Sequence, residues 1–402
     1  MRKPAWWLLL GLTFSIPWEY SLDLGAPLGN VSRVLSVALL LAMVPAVLQA
    51  GRVRRLHGLH WLVLALLAWF AVSYFWSVDR EATLAQVRGY AQVTMIAWFV
   101  WELTESPGEL RSLLRCYVAG SWVLAVLTLA NFASADAANQ VRFVAGGQDP
   151  NDVARFLDIG FPLSALLIRG ESRWGDKLLA LGFMPIGFLG VLLTASRSGV
   201  IAAGIALCGC GIMLANDRSW KFIAMTLPVV LAVFWRAAPQ GTTERILSTG
   251  QALAGGDLNQ RLSIWEAGWQ AFVRSPFAGS GAGTFVSAAH LAPGVTAHNT
   301  ALGIAVEGGV AALLAATAIL AIAAATVHRL PAAMRWGLGT AFLVLLVNAL
   351  VLSLQTNRTT WLLLGMIAVA GRLASEQRSE PALALAPRPG GSLHGSVAAA
   401  TE

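Results

Sequence analysis

Apolar runs of about 20 residues, the length that carries an α-helix across a bilayer, recur along almost the whole chain with short polar breaks between them. A sliding window of roughly 19 residues predicts twelve spans, near 6–24, 31–49, 59–77, 84–103, 113–132, 152–168, 178–194, 198–215, 219–235, 299–325, 334–354 and 358–374. The expected fold is an all-α integral membrane protein of about twelve transmembrane helices. Its layout is nine spans in 1–235, one large external loop at 236–297, three further spans in 298–374, and a tail at 375–402 rich in Ala, Pro and Gly that reads as disordered. The first span follows Arg2 and Lys3 as a signal peptide would, but no small-x-small cleavage pattern follows its apolar core, so it reads as an uncleaved anchor.

Composition agrees with the pattern. Of 402 residues, 56% are hydrophobic and 12% charged, against about a quarter charged in soluble domains. Cys116, Cys208 and Cys210 all lie in apolar stretches and give neither a disulfide framework nor a zinc site.

The net charge of +7 matters through its distribution. With a cytoplasmic N-terminus, 17 of the 28 basic residues fall in cytoplasmic segments, as the positive-inside rule requires, and both termini are cytoplasmic. The 11 left on the opposite face or in spans are all arginine: Arg33, Arg80, Arg88, Arg142, Arg155, Arg197, Arg236, Arg245, Arg261, Arg274 and Arg358. A rigid guanidinium fork matches phosphate oxygens where a lysine is only a flexible point charge. The surplus therefore points to a phosphate-bearing ligand on the external face, and nothing in it requires nucleic acid.

The large loop carries the remaining chemistry. Trp265, Trp269 and Phe272 recur at i, i+4, i+7 in the run opened by Arg261, which predicts an amphipathic helix lying on the membrane surface. After Ser275-Pro276 comes Gly279-Ser-Gly281-Ala-Gly283, glycines that permit close backbone approach to a ligand or to neighbouring helices. His298 and Asn299 stand where the chain re-enters the membrane. His298 is the candidate general base of the region, or the pair caps the tenth span. Glu307, inside that span, needs a partner, and an arginine from another helix is the expected one.

These pieces, taken in order, resemble the O-antigen ligase and O-antigen polymerase superfamily, whose folds belong to the wider C-type glycosyltransferase architecture. The resemblance rests on Ala195-Ser-Arg197-Ser-Gly199, Arg261 to Trp265, the Pro276 to Phe285 glycine stretch, and His298-Asn-Thr-Ala-Leu302 followed by Glu307-Gly, over about residues 140–310. With one dominant external loop late in the chain, the sequence looks most like the lipopolysaccharide O-antigen ligases. The resemblance implies transfer of a preassembled glycan from undecaprenyl diphosphate to lipid A-core, at the periplasmic face of the bacterial inner membrane. It implies no metal, nucleotide or other cofactor, membrane lipids as surroundings, and a monomer.

By the same resemblance Arg197 and Arg261 bind the diphosphate and His298 is catalytic. Arg142, Arg155, Asn151, Asn299, Glu307 and Arg358 are expected to touch substrate or support the site, with Asn151 capping the sixth span and Arg155 able to pair with Asp152, Asp158 or Glu307. The external acids Asp79, Glu81, Asp136, Asp149, Asp152, Glu244 and Asp257 show no decisive clustering for a metal. The alternatives are a polymerase or another lipid-linked oligosaccharide transferase and, from different classes, a twelve-span transporter or flippase, or an assembly scaffold.

Overall fold

The structure is a computed structural model that describes residues 2–26, 28–51, 53–134, 140–169, 173–254 and 261–384. Each expected span falls on a helix. In chain order these are α1 (Arg2–Ser15), α2 (Val31–Ala50), α3 (Gly58–Val72), α4 (Arg80–Leu103), α5 (Pro107–Ser134), α6 (Pro150–Ile168), α7 (Trp174–Leu193), α8 (Arg197–Leu214) and α9 (Arg218–Ala237). The long loop holds α10 (Gln240–Leu247), α11 (Thr249–Ala254), α12 (Arg261–Arg274) and α13 (Phe285–Ala288), and the chain then closes with α14 (Thr300–His328), α15 (Ala332–Ala349) and α16 (Arg358–Ala384). Eight helices, α2, α3, α5, α7, α8, α9, α14 and α15, are long and apolar enough to cross a membrane among the described residues.

The exceptions have physical reasons. The first span, expected over 6–24, stops being α-helical at Ser15 and tightens into a 3-10 turn, Ile16–Trp18. Pro17 has no N–H to continue the helical ladder. At the other end α16 continues to Ala384, past the 374 boundary expected for the last span, while 385–402, where the tail was expected, lie outside the described residues.

Helix α6 is the axis of the bundle. Every residue from Val153 to Ile168 is buried, because α5, α7, α8 and α15 all pack against it. A helix that meets protein on all sides can hold Arg155 and Asp158, which a lipid-facing span could not without a cost of a few kcal/mol. Around this axis α1 packs on α2 and α5, α3 on α14, α4 on α16, and α7 on α9. Peripheral α2 and α9 leave Leu41, Val44, Leu48, Met225 and Val229 exposed, as helices surrounded by lipid would.

Helix α14 is broken inside the membrane. Gly309 takes φ 66°, ψ −166°, a conformation open only to glycine, and the break interrupts the backbone ladder where no water can satisfy it. The glycine-rich segment of the loop fills the gap. Ser280 N donates to Val306 O at 2.9 Å, Gly281 N to Glu307 O at 2.9 Å, and Val310 N to Pro276 O at 2.8 Å. Trp69 Nε1 reaches Gly308 O at 2.8 Å. A Cβ on Gly279 would stand 2.4 Å from Glu307 O, so this approach requires glycine. The glycines thus serve contact with a neighbouring helix.

Candidate active site

The connection between α7 and α8 is a tight turn. Ala195 adopts φ 47°, a left-handed conformation that costs a residue with a Cβ about 1–2 kcal/mol, and Ser196 caps α8 by accepting from Gly199 N. Arg197 therefore begins α8, where the positive end of the helix dipole already favours an anion. Its Nε donates to Arg245 O at 3.2 Å and its Nη2 to Ser248 Oγ at 2.9 Å, fastening the turn to α10. Arg245 returns the contact, Nε to Ala195 O at 3.3 Å.

Arg142 arrives from the segment before α6. Its Nε donates to Thr194 O at 3.1 Å and its Nη2 to Asn151 Oδ1 at 3.3 Å. The same Asn151 oxygen accepts from Ser196 Oγ at 2.7 Å. Asn151 was expected to cap the sixth span, and the structure corrects this. Asp149 is the cap, its carboxylate accepting from Asn151 N at 2.7 Å. A carboxylate two positions earlier meets the free N–H groups better, which leaves the Asn151 side chain to join Arg142 to Ser196.

Arg261 opens α12 and His298 immediately precedes α14, with Asn299 as the α14 cap accepting from Leu302 N at 2.9 Å. His298 has φ 45°. A half-buried histidine held left-handed beside a helix start is a strained residue of the kind that gathers at functional sites.

Electrostatics tie these groups together. Burial pushes the Arg142 guanidinium down to about 10, with the neighbouring cations Arg245 and Arg261 adding to the shift and Asp149 opposing it. Burial and then Arg197 lower Arg245. Arg261 is lowered by burial against the pull of Asp149. His298 falls below its ordinary 6.5 through burial and then Arg261, with Asp149 and Asp152 resisting. Arg142, Arg245, Arg261 and His298 thus form a partly desolvated cluster in which burial disfavours positive charge, with Arg197 held against Arg245. Helix starts of α6, α8 and α14 bound it. A diphosphate, with two charged centres and many acceptor oxygens, matches that demand.

The other expected site residues separate from this cluster. Arg155, fully buried, donates from Nη2 to Asp152 Oδ1 at 2.8 Å and from Nη1 to Asn357 Oδ1 at 3.0 Å. Of the partners open to it, Asp152 is the one it takes. Arg358 pairs with Glu19. Arg155 joins α6 to Asn357 just before α16, Arg358 joins α16 to the turn after α1, and neither presents a free fork to the cluster. Glu307 is not paired with an arginine as expected. The backbone N–H groups of Gly283 and Phe285 approach its carboxylate, which holds it against the glycine-rich segment, while Oε2 is buried without a hydrogen-bond partner. Removing it by Glu307→Leu is expected to leave two buried N–H groups without acceptors, about 1–3 kcal/mol each. Glu307→Gln keeps one acceptor oxygen and should lose less, a ranking readable by thermal unfolding in detergent.

Helix α12 differs from expectation too. Trp265, Trp269 and Phe272 do not form one face towards lipid. Gly268 and Ala271 are buried, packed with Phe272 against the start of α14 and α13, and Trp265 Nε1 donates to Ala297 O at 3.1 Å. Trp269 is exposed beside Leu262 and Val273. Two apolar faces, one for protein and one for the surroundings, produced what the spacing reads as a single stripe. The docked face fixes Arg261 and the His298 segment relative to each other.

Arg245 was among the external arginines but was not singled out, because nothing in its local sequence marks it. Its place becomes visible only when α10 folds back on the α7–α8 turn.

The apolar helices and this cluster point to a multi-pass helical membrane protein with a group of arginines at one end of its bundle. A family model described as O-antigen ligase matches residues 182–317, the stretch that holds Arg197, Arg245, Arg261, His298 and Glu307. The match supports assigning the chain to the O-antigen ligase/polymerase superfamily and, in general terms, ligase- or polymerase-type transfer chemistry. No curated protein matches the chain.

Proposed function

We propose that the protein transfers a glycan from undecaprenyl diphosphate to the lipid A-core oligosaccharide at the periplasmic face of the inner membrane, without a metal. The observation that carries this reading is the convergence of Arg142, Arg197, Arg245 and Arg261 beside His298. In the proposed reaction the acceptor hydroxyl attacks the anomeric carbon as the bond from that carbon to the diphosphate oxygen breaks, which inverts the configuration. His298 takes the hydroxyl proton, and the arginines hold the diphosphate as it gains charge. Because the bond that breaks adds negative charge to a group already between the arginines, their attraction grows along the reaction and lowers the barrier.

The base must be neutral to act. Burial and Arg261 favour neutral imidazole, so the acid limb of kcat/KM is expected below pH 6.5. Arg261→Ala removes a cation that opposes protonation and should move the limb of the residual activity upward. A limb unmoved by that change would dissociate His298 from the pH profile.

The cellular test is lipopolysaccharide banding in cells whose own copy is replaced by wild type or His298→Ala at matched membrane expression. Loss of the ladder with accumulation of lipid-linked glycan supports the ligase. A ladder collapsed to one repeat would instead make the enzyme a polymerase, and a normal ladder would remove His298 from the mechanism.

A further inference from the structure

At the end of the bundle remote from the arginine cluster, a second basic site has formed. Helix α14 has 29 residues, so at 1.5 Å per residue its ends lie about 40 Å apart; the cluster is at its start and this site is at its finish. Arg329 follows α14, Arg372 and Arg378 lie on α16, and His57 caps α3. With Trp101 and Thr326 they line a cavity of ≈ 310 Å³.

The arginines are arranged for a ligand. Arg378 Nη2 donates to Arg329 O at 3.0 Å, which sets those two residues side by side. Arg372 sits 5.1 Å over the Trp101 ring, donates to Thr104 O, and lies 3.7 Å from Glu376. Its Nε is buried with no hydrogen-bond partner. Among the described residues Glu376 is the one carboxylate within ion-pair distance of these guanidiniums, and it meets Arg372. Arg329 makes no side-chain hydrogen bond or ion pair among the described residues, so at that position its guanidinium meets the open volume.

The neighbouring space is apolar. His60, whose ring is 5.2 Å from that of Trp101, lines an adjoining cavity of ≈ 350 Å³ between α3 and α4, walled by Val63, Leu67, Met95 and Trp98. Trp101 therefore separates a basic chamber from an apolar groove, the two halves that a phospholipid needs. A free phosphate would use the first and leave the second without purpose.

We propose that this pair of cavities binds one anionic phospholipid, its phosphate against Arg329, Arg372 and Arg378 and an acyl chain in the groove between α3 and α4. Basic pockets between membrane helices recognise anionic headgroups in this way, and arginine forks suit phosphate oxygens. The site does not depend on the transfer reaction proposed above.

Native mass spectrometry of the full chain in detergent, titrated with phosphatidylglycerol, phosphatidylethanolamine or inorganic phosphate, tests this. Wild type should retain one phosphatidylglycerol, and Arg329→Glu/Arg378→Ala should weaken that binding by about tenfold or more while weak phosphatidylethanolamine association stays unchanged. Arg378 also holds the end of α14, so Arg329→Glu alone is the companion variant and should show a smaller loss. Leu67→Trp, which fills the groove, should weaken lipid binding as well. Equal phosphatidylglycerol retention by the charge variants would overturn the proposal. So would binding of inorganic phosphate that displaces the lipid and is indifferent to Leu67→Trp.

Discussion

Replacing His298 with alanine is expected to slow glycan transfer by roughly 10²–10⁴-fold, the usual contribution of a positioned general base, with KM for the lipid-linked donor nearly unchanged. The separation follows from position. His298 stands at the start of α14, half-buried, beside rather than among the arginines that would hold the donor. Alanine must take the same left-handed backbone, which it accepts less readily than histidine does, so matched folding of the variant is checked alongside. His298→Asn is the sharper control. Asparagine tolerates φ above zero and can donate a hydrogen bond, but it cannot accept a proton near neutral pH. An inactive asparagine variant would support proton transfer; substantial activity would reduce His298 to orienting the acceptor.

Arg261→Ala is expected to weaken donor binding by about 10- to 100-fold, the range for losing one charge-assisted hydrogen bond of about 1.5–3 kcal/mol. Arg261→Lys should recover only part of this, since a point charge loses the fork. Arg197 is the less clean probe. Its guanidinium also fastens the α7–α8 turn to α10 through Arg245 O and Ser248 Oγ, so its loss mixes binding with folding. Burial disfavours the charge on Arg261, so without donor Arg261→Ala should unfold no earlier than wild type. A variant that binds donor normally in an equilibrium assay would exclude Arg261 from the diphosphate contacts.

The frame of this protein is legible because lipid imposes a single strong constraint. Every helix surrounded by hydrocarbon must be a long apolar run, and the runs at 31–49, 178–194 and 299–325 can be read directly as α2, α7 and α14. Pro17 marks the early end of α1 less clearly, since proline can also start or kink a helix. The arginines that the charge pattern set apart from the cytoplasmic ones were likewise visible, and of them Arg142 and Arg261 lie within electrostatic reach of each other, with Arg197 held against Arg245. What composition could not assign is who pairs with whom. Arg155 and Arg358 carry the same signature as Arg261 but fold into contact with Asp152, Asn357 and Glu19. Arg245 needed the return of α10 to reach the site.

Glu307 gives the same lesson from the other side. A carboxylate in a span suggests a cationic partner, yet what faces this one is the backbone N–H groups of the glycine-rich segment, and Oε2 stays without a partner. That solution depends on the break at Gly309, which no local pattern announces. A broken helix near a buried acid also belongs to the vocabulary of transporters. Here the gap is occupied by residues 276–285, whose backbone groups complete the interrupted ladder, so the break supports the site rather than opening an ion path.

The most direct measurement is transfer by the purified full chain in liposomes, supplied with undecaprenyl-diphosphate-linked glycan and lipid A-core and treated with a chelator throughout. The account predicts a glycan-bearing lipid A-core product of inverted anomeric configuration, formed by wild type and lost in His298→Ala. Retained configuration, a requirement for added metal, or equal product from the His298→Ala protein would contradict it.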